Sequence, residues 1–143
     1  MHYPMIARAL LICAAALSTA CSAKPVTFSS ICAAENDKKR VEVTGYLLNT
    51  GSSMCSKGHG LPWHCPISFA ESPTSTKTIR VNIPKGGGSS EIDAAGGAGL
   101  QIRDEGGAVV ERSTKVRVTG KVSRYSTPGE QSCSMWIYKI ERL

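Results

Sequence analysis

Four side chains able to ligate a soft metal fall within one short stretch, in the order Cys55-x₃-His59-x₄-His64-Cys65. Thiolates and imidazoles are the usual zinc or copper donors, and structural zinc sites place them in pairs two to four residues apart. This stretch departs from that form, because His64 and Cys65 are adjacent. If both lie in a strand they point to opposite faces and cannot meet one ion. In an oxidising compartment Cys55 and Cys65 would instead bond to each other. Metal binding through Cys55, His59, His64 and Cys65 therefore stands as an alternative reading. Nucleophilic chemistry has less support. His59 and His64 are the only histidines after His2, no Gly-x-Ser-x-Gly elbow occurs, and Cys-x-x-Cys is absent. The expectation is a protein that is not an enzyme and needs no cofactor.

Charge offers a second kind of chemistry. The chain carries a formal net charge of +6, and Arg112, Lys115, Arg117, Lys121 and Arg124 follow one another without an intervening acid. Such a run either binds an anionic partner or coats the solvent face of a strand. With the Gly- and Ser-rich loop over 49–62 and Trp63 at its end, it defines a candidate binding surface of Trp63, Arg80, Lys115, Arg117 and Lys121. The Gly-rich run at 86–88 is not a phosphate loop, since no Gly-Lys-Ser/Thr follows it.

Six cysteines occur in 143 residues. The first twenty residues carry one fixed charge, Arg8, then an uncharged run over 9–17 and small residues up to Ala20. That is the order of an export signal, and the run is too short to span a bilayer, which takes about 20 apolar residues. Leu17-Ser18-Thr19-Ala20-Cys21 resembles a bacterial lipobox. The resemblance implies that Cys21 is acylated and becomes the first mature residue, and that Ser22 permits sorting to the outer membrane. Cleavage after Ala20 or Ala23 without acylation is the competing reading and would leave a soluble periplasmic protein. With Cys13 in the signal and Cys21 lipidated, Cys32, Cys55, Cys65 and Cys133 remain. An even set in an exported chain reads as two disulfides. Of three pairings, Cys55–Cys65 is favoured because both flank one loop, which leaves Cys32–Cys133 to join the two ends of the domain.

The elements that hold these residues are mainly strands. Apolar and polar residues alternate over 41–48, 78–83 and 115–123; further strands are expected over 65–70 and 134–141, the last apolar enough to be covered on both sides, and a shorter one over 100–103. Residues 31–40 suggest a brief helix or turn, and residues 126–132 a loop. Ser90 with Asp93 makes a weak capping box, so a short helix is expected over 90–95. Val41-Glu42-Val43-Thr44-Gly45-Tyr46-Leu47 is echoed by Val116-Arg117-Val118-Thr119-Gly120-Lys121-Val122. A glycine at that point lets a strand bend or bulge, as small closed barrels require. The pair resembles the first and fourth strands of OB-fold domains, in which three strands precede a helix and two follow it.

The resulting expectation is an all-β chain of one domain. Residues 1–20 form a signal peptide, 21–30 a lipidated tether, and 31–143 a five- to six-stranded OB-like barrel with a short helix after the third strand. The rival architecture is a small β-sandwich. By this reading the protein is a lipoprotein of the cell envelope, on the periplasmic face of the outer membrane. It binds another envelope protein or an anionic glycan or lipid. Oligonucleotide binding is the use most associated with OB-folds, but it calls for aromatic platforms on the second and third strands. The third strand offers Thr78, Arg80 and Asn82 instead, while Trp136 and Tyr138 read as core or barrel-closing residues.

Overall fold

A computed structural model of the chain describes residues 22–48, 55–84, 91–93, 101–127 and 130–143. The signal segment, Cys21, the first part of the long loop (49–54), Ser90 of the capping box and Pro128-Gly129 lie outside the described residues.

The strands are β1 (Lys24–Pro25), β2 (Arg40–Leu48), β3 (His64–Ala70), β4 (Thr78–Pro84), β5 (Glu91–Asp93), β6 (Gln101–Arg103), β7 (Val116–Thr127) and β8 (Glu130–Arg142). β2, β3 and β4 pair antiparallel in sequence. β4 then pairs with β8 in parallel, β8 with β7 and β7 with β2, both antiparallel. The five strands thus run in a ring, β2-β3-β4-β8-β7 and back to β2, the order of an OB-like barrel. Closure matters physically because an open edge exposes unpaired N–H and C=O groups to other chains. The strands do not divide into the two facing sheets of a sandwich.

The echoed glycines mark where this ring bends. Arg40 through Gly45 pair with β7, whereas Tyr46 through Leu48 pair with β3. Gly45 is therefore the last residue before β2 changes partner. A Cβ there would lie 2.5 Å from the Ala70 carbonyl oxygen and 2.6 Å from the Phe69 ring. Gly120 sits where the β7–β8 register slips between Thr119 and Gly120, so that Tyr138 is an extra residue on β8. A Cβ at Gly120 would lie 2.5 Å from the Trp136 carbonyl oxygen.

The barrel interior is filled by the alternate residues that the period of two selects. Val43, Leu47, Phe69, Ile83, Val118 and Met135 are all buried. Burying side chains of this size is worth about 1.5–3 kcal/mol each, which is enough for a small domain to hold its strands together.

Three expectations need correction. The segment around 90–95 forms no helix where it is described. Glu91–Asp93 is a strand, paired antiparallel with Gln101–Arg103 with Ile92 and Ile102 in register. A helix confined between two glycine runs cannot recover its nucleation cost, whereas a hairpin pairs the same backbone at once. The tether over 21–30 is also shorter than expected. Lys24 and Pro25 pair in parallel with Val41 and Glu42, and Val26 N–H donates to the Glu42 carbonyl at 2.9 Å. Phe28 is buried, opens a 3₁₀ turn (Phe28–Ser30), and lies 5.9 Å from the Phe69 ring. Residues 24–30 thus belong to the domain. Finally, the loop over 126–132 is largely strand, for the β7–β8 pairing extends to Thr127 and Glu130.

The region over 31–40 is a run of turns. A second 3₁₀ turn (Ala34–Asn36) buries Asn36, whose Nδ2 donates to the Ser30 carbonyl at 2.7 Å. Cys32 is bonded to Cys133 of β8 across a separation of 101 residues, and Cys55 to Cys65 across 10. No helix among the described residues is long and apolar enough to cross a membrane.

Candidate functional site

The loop that carried the metal alternative is closed by its own chemistry. Cys55 and Cys65 are joined, so neither supplies a thiolate. Beside them Ser56 and His64 exchange backbone hydrogen bonds of 3.0 and 3.1 Å, which makes a short two-stranded stem. His64 Nδ1–H donates to the Pro62 carbonyl at 3.0 Å, so that nitrogen is occupied. Among the described residues no group of three or more His, Cys, Asp or Glu side chains is placed to hold a metal. The stem instead fixes a loop tip, turned through Gly60 at φ +71°, that presents Leu61 and Trp63 to solvent.

The basic residues do not form one stripe. Along β7, Val116, Val118 and Val122 face the core, while Arg117 and Lys121 face out. Arg124 falls on the inward phase and is only half-buried at the barrel end; its backbone N–H donates to Asp37 Oδ1 at 2.9 Å. Arg112 reaches the Pro73 carbonyl at 3.4 Å, and Lys115 lies just before β7, accepting the Leu143 N–H through its carbonyl. Arg80 faces out from β4, opposite Ser68 on β3 and Ser134 on β8. The candidate surface is thus dispersed, and only Lys121 and Trp63 come near the cluster described next.

Four of the cations have carboxylate partners among the described residues. Arg117 is 3.6 Å from Glu42, Lys139 is 3.1 Å from Glu141 and 3.5 Å from Glu105, Arg142 is 2.8 Å from Asp104, and Lys24 is 3.2 Å from Glu35. Arg40 and Lys121 are among the cations for which no ion pair is seen. They are directly opposite each other in the β2–β7 ladder, both exposed on the outer face, and neither has a carboxylate partner among the described residues. Like charges placed opposite on adjacent strands oppose folding by roughly 0.2–1 kcal/mol. The Arg40 guanidinium lies 4.8 Å from the centre of the Tyr138 ring, a cation–π geometry.

Aromatic side chains continue this cationic pair across the barrel. Lys121 is in register with Trp136 on β8, and Trp136 with Asn82 on β4. The rings of Trp136 and His64 are 4.9 Å apart, although β8 and β3 lie on opposite sides of β4. Strands two places apart are separated by about 10 Å, so the two rings lean toward each other over β4. Asn82 lies in this region, and its Oδ1 is buried without a hydrogen-bond partner. Tyr138 is 40% exposed and Trp63 49%. The outer face therefore carries Arg40, Lys121, Tyr138, Trp136 and His64, with Trp63 next to His64 in the chain.

Trp136 and Tyr138 are the residues that sequence reasoning misplaced. Both face outward rather than into the core. The signal was present in Cys133, Met135 and Ile137, whose alternation fills the inward positions. The slip at Gly120 keeps Tyr138 outside while Ile140 returns to the core.

No family model and no curated protein matches the chain. Among solved structures, the crystal structure of an aspartyl-tRNA synthetase from Leishmania major Friedlin is similar over 88% of this chain, with a TM-score of 0.50 and 11% sequence identity. The chain spans 22% of that protein's length, and at this identity the likeness concerns the fold alone.

Proposed function

We propose that the protein is a non-enzymatic binding module of the bacterial cell envelope, held at the periplasmic face of a membrane by acylated Cys21, and that its outer barrel face takes an anionic partner. The observation that carries the anionic partner is the Arg40–Lys121 pair. Arg40 and Lys121 face each other across one ladder position with no carboxylate partner among the described residues, whereas Arg117 and Lys139 are matched with acids. An anion placed between them turns a repulsion into two charge-assisted contacts. The lipobox-like Leu17-Ser18-Thr19-Ala20-Cys21 supports the envelope address, and two disulfides suit an oxidising compartment. The short distance in sequence from Cys21 to β1 would hold the barrel close to the lipid.

The address is tested by intact-mass spectrometry of the protein purified from a bacterial membrane fraction. A diacyl or triacyl mass on a chain beginning at Cys21 is expected; a chain beginning at Cys21 or Lys24 without lipid refutes it. The anion site is tested by retention on immobilised heparin. The Arg40→Gln/Lys121→Gln double variant should elute at distinctly lower salt than the parent, and unchanged elution refutes the site.

A further inference from the structure

Resting on the anionic-partner reading and on acylation of Cys21, we infer that the partner is the phospholipid membrane itself. The end of the barrel beside the anchor is a basic foot that rests on anionic headgroups, with a lipid phosphate between Arg40 and Lys121. Two observations meet there. The first is a concentration of exposed cations. Lys38, Lys39 and Arg40 follow one another into β2, and Lys121 lies opposite Arg40 in the ladder. Val122, the next residue, accepts the Lys38 N–H at 2.8 Å and donates to the Lys39 carbonyl at 3.0 Å, so these cations share one small piece of backbone. Lack of an ion pair does not single them out, since Lys57, Lys77, Arg80 and Lys115 also have none among the described residues. Their crowding does. The nearby acids are already engaged: Glu35 is 3.2 Å from Lys24, and Asp37 Oδ1 accepts the Arg124 N–H. Residues 118–127 contain no acid, and Glu130 is in register with Thr127 at the far end of β7.

The second observation is where the anchor enters. Lys24 is in register with Val41, the residue after Arg40, and Cys21 precedes Lys24 by only Ser22 and Ala23. A chain of that length reaches about 10 Å at most. Acyl chains on Cys21 therefore bring headgroups to this end of the barrel whatever path the chain takes between them. A cluster of Lys and Arg beside a lipid anchor adds electrostatic attraction to anionic lipid, and the two together hold better than either alone. Tyrosine suits the same layer, with an apolar ring and a polar hydroxyl. Tyr138 lies under Arg40, and Tyr125, on the outward phase of β7 beyond Lys121, is 46% exposed. A single small anion would neutralise Arg40 and Lys121 but leave Lys38 and Lys39 unmatched, whereas a sheet of phosphates meets all of them. A soluble polyanion would have to displace headgroups that the anchor holds in place at high effective concentration.

Acetylation of lysine amines, read residue by residue by mass spectrometry, tests this on the acylated protein inserted into preformed vesicles. One set is phosphatidylcholine alone, the other equal parts phosphatidylcholine and phosphatidylglycerol. On the anionic set Lys38, Lys39 and Lys121 should react severalfold more slowly than on the neutral set, measured against Lys57 and Lys115 as references. High salt should erase the difference. Arg40→Gln/Lys121→Gln should lose most of the protection at Lys38 and Lys39, which remain as reporters; both substituted residues are exposed, so the barrel is kept. Equal reactivity of Lys38, Lys39 and Lys121 on the two vesicle sets overturns the phospholipid. If heparin retention still depends on Arg40 and Lys121 in that case, the anion site stands without it. Full protection of Lys38 and Lys39 in the double variant overturns the Arg40–Lys121 pair as the phosphate seat. Should the mature chain carry no acyl group, the same vesicles are offered to the free protein in a sedimentation assay. Salt-reversible capture by the anionic set alone then supports the basic foot, and capture by neither set overturns it.

Discussion

The two disulfides fasten very different parts of the molecule. Cys32–Cys133 joins the turns ahead of β2 to the first part of β8, where Cys133 is buried. Around it Phe28 and Ile31 enter the core, so covalent and apolar ties act on the same segment. Cys55–Cys65 closes a loop of solvent-facing residues and adds little core of its own beyond Cys65. The first bond completes the barrel; the second holds Trp63 and His64 where the barrel's outer rings are. One is about whether the chain folds, the other about how a surface is displayed.

Removing the first bond should have the largest effect. On the chain-entropy model a closed loop of about 100 residues contributes nearly 5 kcal/mol. Cys32→Ala/Cys133→Ala should lose most of that in denaturant unfolding, with a matching fall in Tm. A loss under about 1 kcal/mol would show that Phe28 and Ile31 hold the segment without help. Cys55→Ala/Cys65→Ala should cost less, somewhat under 3 kcal/mol on the same model. Its distinguishing sign is local: the Trp136–His64 contact should loosen, visible as a red shift in tryptophan emission in the folded protein. Equal losses from both pairs, with no spectral change in the second, would erase the distinction drawn between them.

The bends of the barrel were readable before any coordinates, and they allow a prediction of intermediate size. Val-x-Val-Thr-Gly occurs twice, and both glycines fall where a strand changes partner or slips register. Gly45→Ala and Gly120→Ala should each cost about 1–3 kcal/mol, since the new methyl meets a neighbouring carbonyl that cannot move alone. Thermal unfolding checks this, and a neutral result at either site would mean the ring closes with room to spare. The outer face was harder to read. Lys121 and Trp63 could be singled out by type, but their neighbours Arg40, His64 and Trp136 come from three other strands. Only the register of a closed ring brings those together. The short helix failed for a related reason: a capping box is a local signal, and the partner that made residues 91–93 a strand lies across a glycine-rich stretch.

The smallest effect belongs to a third clasp, made without sulfur. Asp104, just after β6, is buried and accepts the Gly106 and Ala108 N–H groups at 2.9 and 2.8 Å and Arg142 Nε–H at 2.8 Å. It ties the β6 turn to the end of β8. Burial alone would raise its pKa, but the Ala108 N–H, the Arg142 guanidinium and the Gly106 N–H together outweigh burial and hold it below the ordinary 3.8. A carboxyl depressed in the folded state stabilises fully above its unfolded value, and that contribution disappears as pH falls through the folded one. Stability should therefore decline as pH drops below about 4, within the carboxylate range. Asp104→Asn should be less stable than the parent at neutral pH and should lose part of that acid slope, because the amide cannot match the Arg142 charge. Unfolding curves at neutral and acid pH decide the matter: an Asn variant that keeps the parent's full slope would place the acid sensitivity elsewhere. It would also leave the two disulfides as the barrel's main fastenings.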